Sequence, residues 1–82
     1  MMRSLEPPLE PRIRGAVIRA LNLGTPDVSM PLAMGSTPGW DSMGHMTVVL
    51  ELEREFSTNF QVYRLPELVD VASIARVLID QS

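Results

Sequence analysis

The sequence predicts an all-α protein, a small bundle of three to four helices with a long loop between helices 1 and 2. Asp41 and Asp70 each stand directly before a helical pattern, as N-cap residues do. A third stretch, near the amino terminus, repeats its apolar residues at helical spacing. No segment shows the sustained alternation of apolar and polar residues that is typical of a half-buried strand.

Length and composition limit the classes of function. The 82 residues suffice for one domain with a modest core, and an apolar content of 45% is too high for a disordered tail. The sequence contains no cysteine and no apolar run long enough to cross a bilayer. Its first residues also lack the apolar core of a signal peptide. We therefore expect a monomer in the cytoplasm with no membrane insertion. A net charge of −3 disfavours nucleic acid as a partner and favours a basic protein.

Residues 1–7 are expected to form a flexible tail before a single domain over residues 8–82. Helix 1 is predicted from about Glu10 to Asn22, and Gly24 is its expected C-terminal cap. Its apolar face comprises Leu9, Ile13, Val17, Ala20 and Leu21.

The connection that follows, residues 25–39, contains three prolines and two glycines and has no sustained period. A loop of this length in a small domain is usually functional or mobile. We expect Leu32, Ala33 and Met34 to pack into the core and to hold the loop down. Residues 25–27 could start one short helical turn.

Helix 2 is predicted from Ser42 to about Phe56 and has two apolar faces. At about 100° per residue, one face comprises His45, Val49, Leu52 and Phe56, and the second comprises Met43, Met46 and Leu50. Either the whole helix is buried, or one face packs in the core and the other binds a partner. Because methionine adapts to varied partners, we expect the second face to be a docking surface, with Glu53 and Arg54 on its rim. His45 is expected to be structural, and Trp40 to lie in the core.

The carboxyl-terminal part is predicted to contain one more main helix. Residues 57–68 form a connection that could contain one short helical turn, although Pro66 disfavours it. The last helix is expected to follow Asp70 and to run from Val71 to about Ile79. Its buried stripe comprises Val71, Ile74, Ala75 and Leu78.

Ser42 permits three interpretations. It can be an ordinary polar residue of a first helical turn. It can be a hydrolase nucleophile, but the nucleophile elbow needs glycine on both sides, and Trp40 occupies the position opposite Gly44; His45 also points to the core side. It can be a site of covalent attachment, since the helix N-terminus offers unpaired N–H groups and a partial positive charge to a phosphodiester.

The stretch Asp41-Ser42-Met43, at the start of helix 2, resembles the Asp-Ser-Leu motif of acyl carrier proteins and of related peptidyl and aminoacyl carriers. The similarity continues through VVLELEREF, residues 48–56, and LVDVASIARVL, residues 68–78. Helix 1 and the long loop match in length and pattern only. The stretches DSMG and LELE, residues 41–44 and 50–53, are also similar to D-alanyl carrier proteins.

The resemblance implies an acyl-carrier-type bundle that is not itself an enzyme. It implies 4′-phosphopantetheine, donated by coenzyme A, on Ser42 next to Asp41, with an acyl group held as a thioester on the arm. The implied partners are a phosphopantetheinyl transferase, an acyl- or aminoacyl-loading ligase, and an acyltransferase or synthase; no metal is implied.

Two departures and two alternatives accompany this resemblance. Thr47 and Arg54 stand where the family often has carboxylates, which favours a dedicated lipid, polyketide, peptide or modified-sugar pathway over ordinary fatty-acid synthesis. An aminoacyl or peptidyl carrier is the alternative within the family. A helical protein-interaction module without an arm is the alternative outside it.

Overall fold

The computed structural model describes residues 9–24 and 30–81. Within these ranges the chain forms three α-helices and one 3-10 helix, and it contains an isolated bridge but no strand. The helices are α1 (Leu9–Leu21), α2 (Ser42–Phe56), the 3-10 helix (Val62–Glu67) and α3 (Val71–Asp80). The prediction of a small all-α fold is confirmed for this part of the chain, while the acyl-carrier type stays a prediction. The expected tail, residues 1–7, and the turn at residues 25–27 lie outside the described ranges.

The end of α1 differs from the prediction in its capping residue. Asn22, not Gly24, takes the left-handed conformation directly after the helix, with φ of 53°. The N–H of Asn22 donates to the carbonyl of Arg19 at 3.3 Å, and the N–H of Leu23 donates to the carbonyl of Ile18 at 3.1 Å. This is the hydrogen-bond pattern of a Schellman motif. Asparagine can provide it because its short polar side chain tolerates the left-handed region.

The bounds predicted for α2 are confirmed. The Oδ1 atom of Asp41 accepts hydrogen bonds from the N–H groups of Met43 and Gly44, at 3.1 and 2.9 Å. These bonds satisfy two of the donors that a helix N-terminus leaves without an intrahelical partner. At the other end, Ser57 adopts φ of 50° and donates its N–H to the carbonyl of Glu53.

The segment between α2 and α3 contains the 3-10 helix, so the short helical turn that the sequence left open does form, with Pro66 inside it. The fixed φ of proline lies within the range of a 3-10 helix. Around Pro66 the N–H of Arg64 donates to the carbonyl of Gln61 at 2.9 Å, and that of Leu68 to the carbonyl of Leu65 at 3.2 Å. The helix is therefore compatible with one proline near its end.

The predicted start of α3 is confirmed, because Asp70 caps the helix. Its carboxylate accepts the N–H of Ser73 at 2.8 Å. The helix continues to Asp80, one residue beyond the prediction. In the described part of the chain, no helix is long and apolar enough to cross a membrane.

The core receives buried side chains from the three α-helices, from the long loop and from both sides of the 3-10 helix, whose Leu65 packs against it partly buried. Leu32 and Trp40 of the loop are buried as predicted, whereas Ala33 and Met34 are half-buried. The buried apolar residues are Ile13, Ala16, Val17, Leu32, Trp40, Val48, Val49, Leu52, Phe60, Leu68, Ile74, Val77 and Leu78.

Hydrogen bonds hold the second half of the long loop in place. The hydroxyl of the buried Thr37 accepts the N–H of Ala33 at 2.8 Å, and the N–H of Gly35 donates to the carbonyl of Trp40 at 2.9 Å. The N–H of Met34 also donates to the carbonyl of Val69, just before α3, at 2.8 Å. The loop that leads into α2 is therefore hydrogen-bonded to the residue that directly precedes the N-cap of α3.

Candidate functional site

The candidate site is the N-terminus of α2. Ser42 is the first residue of this helix and is exposed, as is its neighbour Asp41. The carboxylate of Asp41 already accepts two N–H groups of the first turn. The serine hydroxyl is therefore presented to solvent from a capped helix end, at a position fixed by the helix itself.

Close contact between two glycines fixes the turn before Ser42. Gly39 has φ of 84°, a conformation that favours glycine. A Cβ atom on Gly44 would overlap the carbonyl oxygen of Gly39 and would also lie 3.2 Å from the side chain of Leu21. The loop thus folds directly onto the first turn of α2. The sequence pattern around Gly44 did not predict this contact.

Trp40 and His45 flank Ser42 on the core side. The Nε1–H of Trp40 donates to Nδ1 of His45 at 3.0 Å, and Nε2 of His45 lies 2.9 Å from the carbonyl oxygen of Leu65. Because an indole N–H only donates, Nδ1 accepts, and Nε2 carries the proton and donates to Leu65. Both ring nitrogens of His45 are therefore bonded within the fold. The predictions of a structural His45 and a core Trp40 are confirmed.

The two faces of α2 have different environments. Met43, Met46 and Leu50 keep 84%, 49% and 62% of their surface exposed. On the other side, Val48, Val49 and Leu52 are buried, and Phe56 packs partly buried against the core. The helix is thus not wholly core, and its second apolar face lies at the surface beside Ser42. That this face docks a partner stays a prediction.

The two residues predicted for the rim of this face are placed differently. The side chain of Arg54 is 80% exposed, and its ion pair with Glu51 is long at 3.7 Å. Glu53 is half-buried and accepts the N–H of Phe60 at 2.9 Å. The structure therefore leaves Arg54 exposed and directs the carboxylate of Glu53 to the segment that follows α2.

Ion pairs join α1 to the remaining carboxylates of α2. Arg19 contacts Glu51 and Glu55 at 2.9 Å each, and Arg12 contacts Glu55 at 2.9 Å. The hydrogen bond from Arg12, assisted by Arg19, holds the pKa of Glu55 below its ordinary value. Sequence reasoning missed this network. Its signal was available, because Arg12 and Arg19 are seven residues apart, and Glu51 and Glu55 are four apart, at helical spacing.

Other parts of the described chain offer less chemistry. Residues 9–24 and 30–81 contain no group of three or more histidine, aspartate or glutamate side chains that could hold a metal ion. A surface groove of about 620 Å³ lies between the 3-10 helix and α3 and includes Arg64, which is paired with Glu67 and Asp80. No family model, curated protein or solved structure matches the chain.

Proposed function

We propose that the protein is a stand-alone carrier that receives 4′-phosphopantetheine from coenzyme A on Ser42. It then presents an acyl group, held as a thioester on that arm, to biosynthetic enzymes. The main support is one observation: an exposed serine opens a 15-residue helix directly after its capping aspartate. The resemblance of residues 39–78 to carrier proteins and the small all-α fold are consistent with this function. The protein itself catalyses no reaction.

The residues at the helix start suit such an attachment. Oγ of Ser42 would form a bond to the phosphorus of the arm, with adenosine 3′,5′-bisphosphate as leaving group and the hydroxyl proton passing to the transferase. The positive end of the α2 dipole favours the resulting phosphodiester charge. Asp41 already occupies the N–H groups of Met43 and Gly44, so we expect the dipole rather than those N–H groups to act on the phosphodiester. When bound, the arm supplies the thiol that this cysteine-free chain lacks.

Two alternatives remain distinct from this proposal. An aminoacyl or peptidyl carrier would use the same serine and arm, and only the cargo would differ. A helical interaction module would use no arm. The exposed apolar face formed by Met43, Met46 and Leu50 favours this second alternative independently of Ser42.

Intact-mass measurement tests the proposal. The protein is incubated with coenzyme A and a broad-range phosphopantetheinyl transferase, and the wild type should gain the mass of one arm. Ser42→Ala should gain none while keeping its helicity, because an exposed first-turn serine packs little. Ser36→Ala, which alters an exposed serine of the preceding loop, should be modified like the wild type.

The possible failures differ in meaning. An unchanged mass for a folded wild-type protein would reject the carrier function and favour the interaction module. Modification of Ser42→Ala would keep the carrier function but place the arm on another residue.

A further inference from the structure

None of the three glutamates of α2 is fully exposed, since Glu51, Glu53 and Glu55 are all half-buried. All of α2 lies in the described part of the chain, and its exposed residues are Ser42, Met43, Met46, Thr47, Leu50 and Arg54. This surface is therefore mainly apolar. Arg54 is the only charged side chain among these exposed residues.

Each of the three carboxylates of α2 is engaged within the chain. Glu51 and Glu55 bind the guanidinium groups of α1, and Glu53 accepts the N–H of Phe60. The side chains of Glu51 and Glu55 keep only 19% and 25% of their surface exposed. A partner with a basic patch would have to compete with these internal bonds, and that competition would cost binding energy.

The exposed residues follow one line along the helix. Met43, Met46 and Leu50 are spaced by three and four residues, and Arg54 stands four residues beyond Leu50, so all four share one face. Arg54 is thus at the far end of the apolar stripe from Ser42. Its ion pair with Glu51 is long, and Glu51 also binds Arg19 at 2.9 Å. The guanidinium of Arg54 therefore remains accessible to an outside carboxylate.

We propose that this face of α2 binds partner enzymes through an apolar patch that has a carboxylate opposite Arg54, and not through a basic patch. The proposal rests on the proposed function, since it concerns the enzymes that must reach Ser42. It replaces the expectation of a basic partner drawn from the net charge of −3. The net charge misleads because the glutamates of α2 are already bonded to groups of this chain, Glu51 and Glu55 to α1 and Glu53 to the N–H of Phe60.

The test uses the apo protein, coenzyme A and a broad-range phosphopantetheinyl transferase as the probe, with arm attachment followed by mass. The KM for the apo protein is compared for four variants. Arg54→Glu should raise KM about fivefold, and Arg54→Ala about twofold, because a charge that matches the partner is reversed or lost. Met46→Glu should raise KM about tenfold through loss of an apolar contact. Arg76→Glu, a charge reversal on the exposed face of α3, should stay within about twofold of wild type.

Salt dependence provides a second measurement. Raising the salt concentration from about 0.05 M to about 0.5 M should change the wild-type KM by no more than about twofold, because one exposed charge takes part. Melting temperatures of all variants should stay close to wild type, which excludes unfolding as the cause of a raised KM.

Three outcomes would overturn the proposal. A KM that falls for Arg54→Glu, or that rises steeply with salt, would indicate a basic partner surface. An unchanged KM for Met46→Glu would show that this face is not used, while arm attachment itself would still support the carrier function. If the wild type gains no arm, the carrier function and this inference are both rejected.

Discussion

At the scale of single residues, Gly44 is the position with the least steric freedom near the candidate site. A Cβ atom there would overlap the carbonyl oxygen of Gly39. Gly44→Ala should therefore lower the free energy of unfolding by about 1–3 kcal/mol, as overpacking does, measured by urea denaturation.

Gly15→Ala is the matched control, because its Cβ would make an ordinary contact at 3.5 Å with Arg19. That change should stabilise the protein by up to about 1 kcal/mol. Equal stabilisation by both changes would contradict the close contact.

The sequence predicted the position of a single residue correctly where spacing along one helix decides whether its side chain is buried or exposed. The helical phase placed His45 on the core side, and the Asp-Ser order placed Ser42 at the first position of a helix. The hydrogen-bond partners of His45 could not be predicted, because Trp40 comes from the loop and the carbonyl of Leu65 from the 3-10 helix. Such contacts depend on how separate elements pack.

At the scale of elements, the cap of α3 predicts a dependence of stability on pH. Hydrogen bonds from the backbone and side chain of Ser73 hold the pKa of Asp70 below its ordinary value. The ionised carboxylate therefore contributes stability above its pKa in the unfolded chain, and this contribution is lost as the pH falls through the lower pKa of the folded state. Between about pH 6 and about pH 3, wild type should lose more free energy of unfolding than Asp70→Asn, which can still cap but does not titrate.

The other carboxylates titrate in both proteins, so the difference between the two curves isolates Asp70. Asp70→Ala, measured near pH 7, should lose about 1 kcal/mol because the cap itself is removed. Parallel losses of stability for wild type and Asp70→Asn on acidification would contradict the role assigned to this carboxylate.

The two faces of α2 predict opposite effects for the same substitution. Leu52 is fully buried, so Leu52→Glu places a charge in the core and should unfold the domain. Met46 is about half exposed, so Met46→Glu should leave the melting temperature close to wild type. Thermal melts followed by circular dichroism compare the two. If Met46→Glu unfolds the protein as severely as Leu52→Glu, both faces belong to the core.

The sequence predicted which segments form α-helices more reliably than it predicted the residues at which they end. The N-caps at Asp41 and Asp70 were predictable because an aspartate directly precedes each apolar pattern. The end of α1 was not, because both Asn22 and Gly24 can adopt a positive φ, and the choice between them depends on packing. The turn at Pro66 was disfavoured too strongly, because the rule that proline breaks a helix applies to an α-helix interior more than to a short 3-10 helix.

At the scale of the whole molecule, the placement of charge determines which surface is left for partners. Arg12 and Arg19 of α1 bind the carboxylates of α2, and Arg12 also lies over the ring of Phe56 at 4.4 Å from its centroid. The acidic composition of α2 could be read from the sequence. The pairing of these carboxylates with arginines of α1 could not be predicted, because it depends on how the two helices pack against each other.

Thiol titration shows whether Ser42 carries a thiol-bearing arm. The chain contains no cysteine, so the unmodified protein should give no signal with a thiol-specific reagent. After incubation with coenzyme A and a phosphopantetheinyl transferase, and removal of small molecules, the account predicts one titratable thiol per wild-type chain and none for Ser42→Ala. A folded wild-type protein that still shows no thiol, or an equal signal from Ser42→Ala, would contradict the claim.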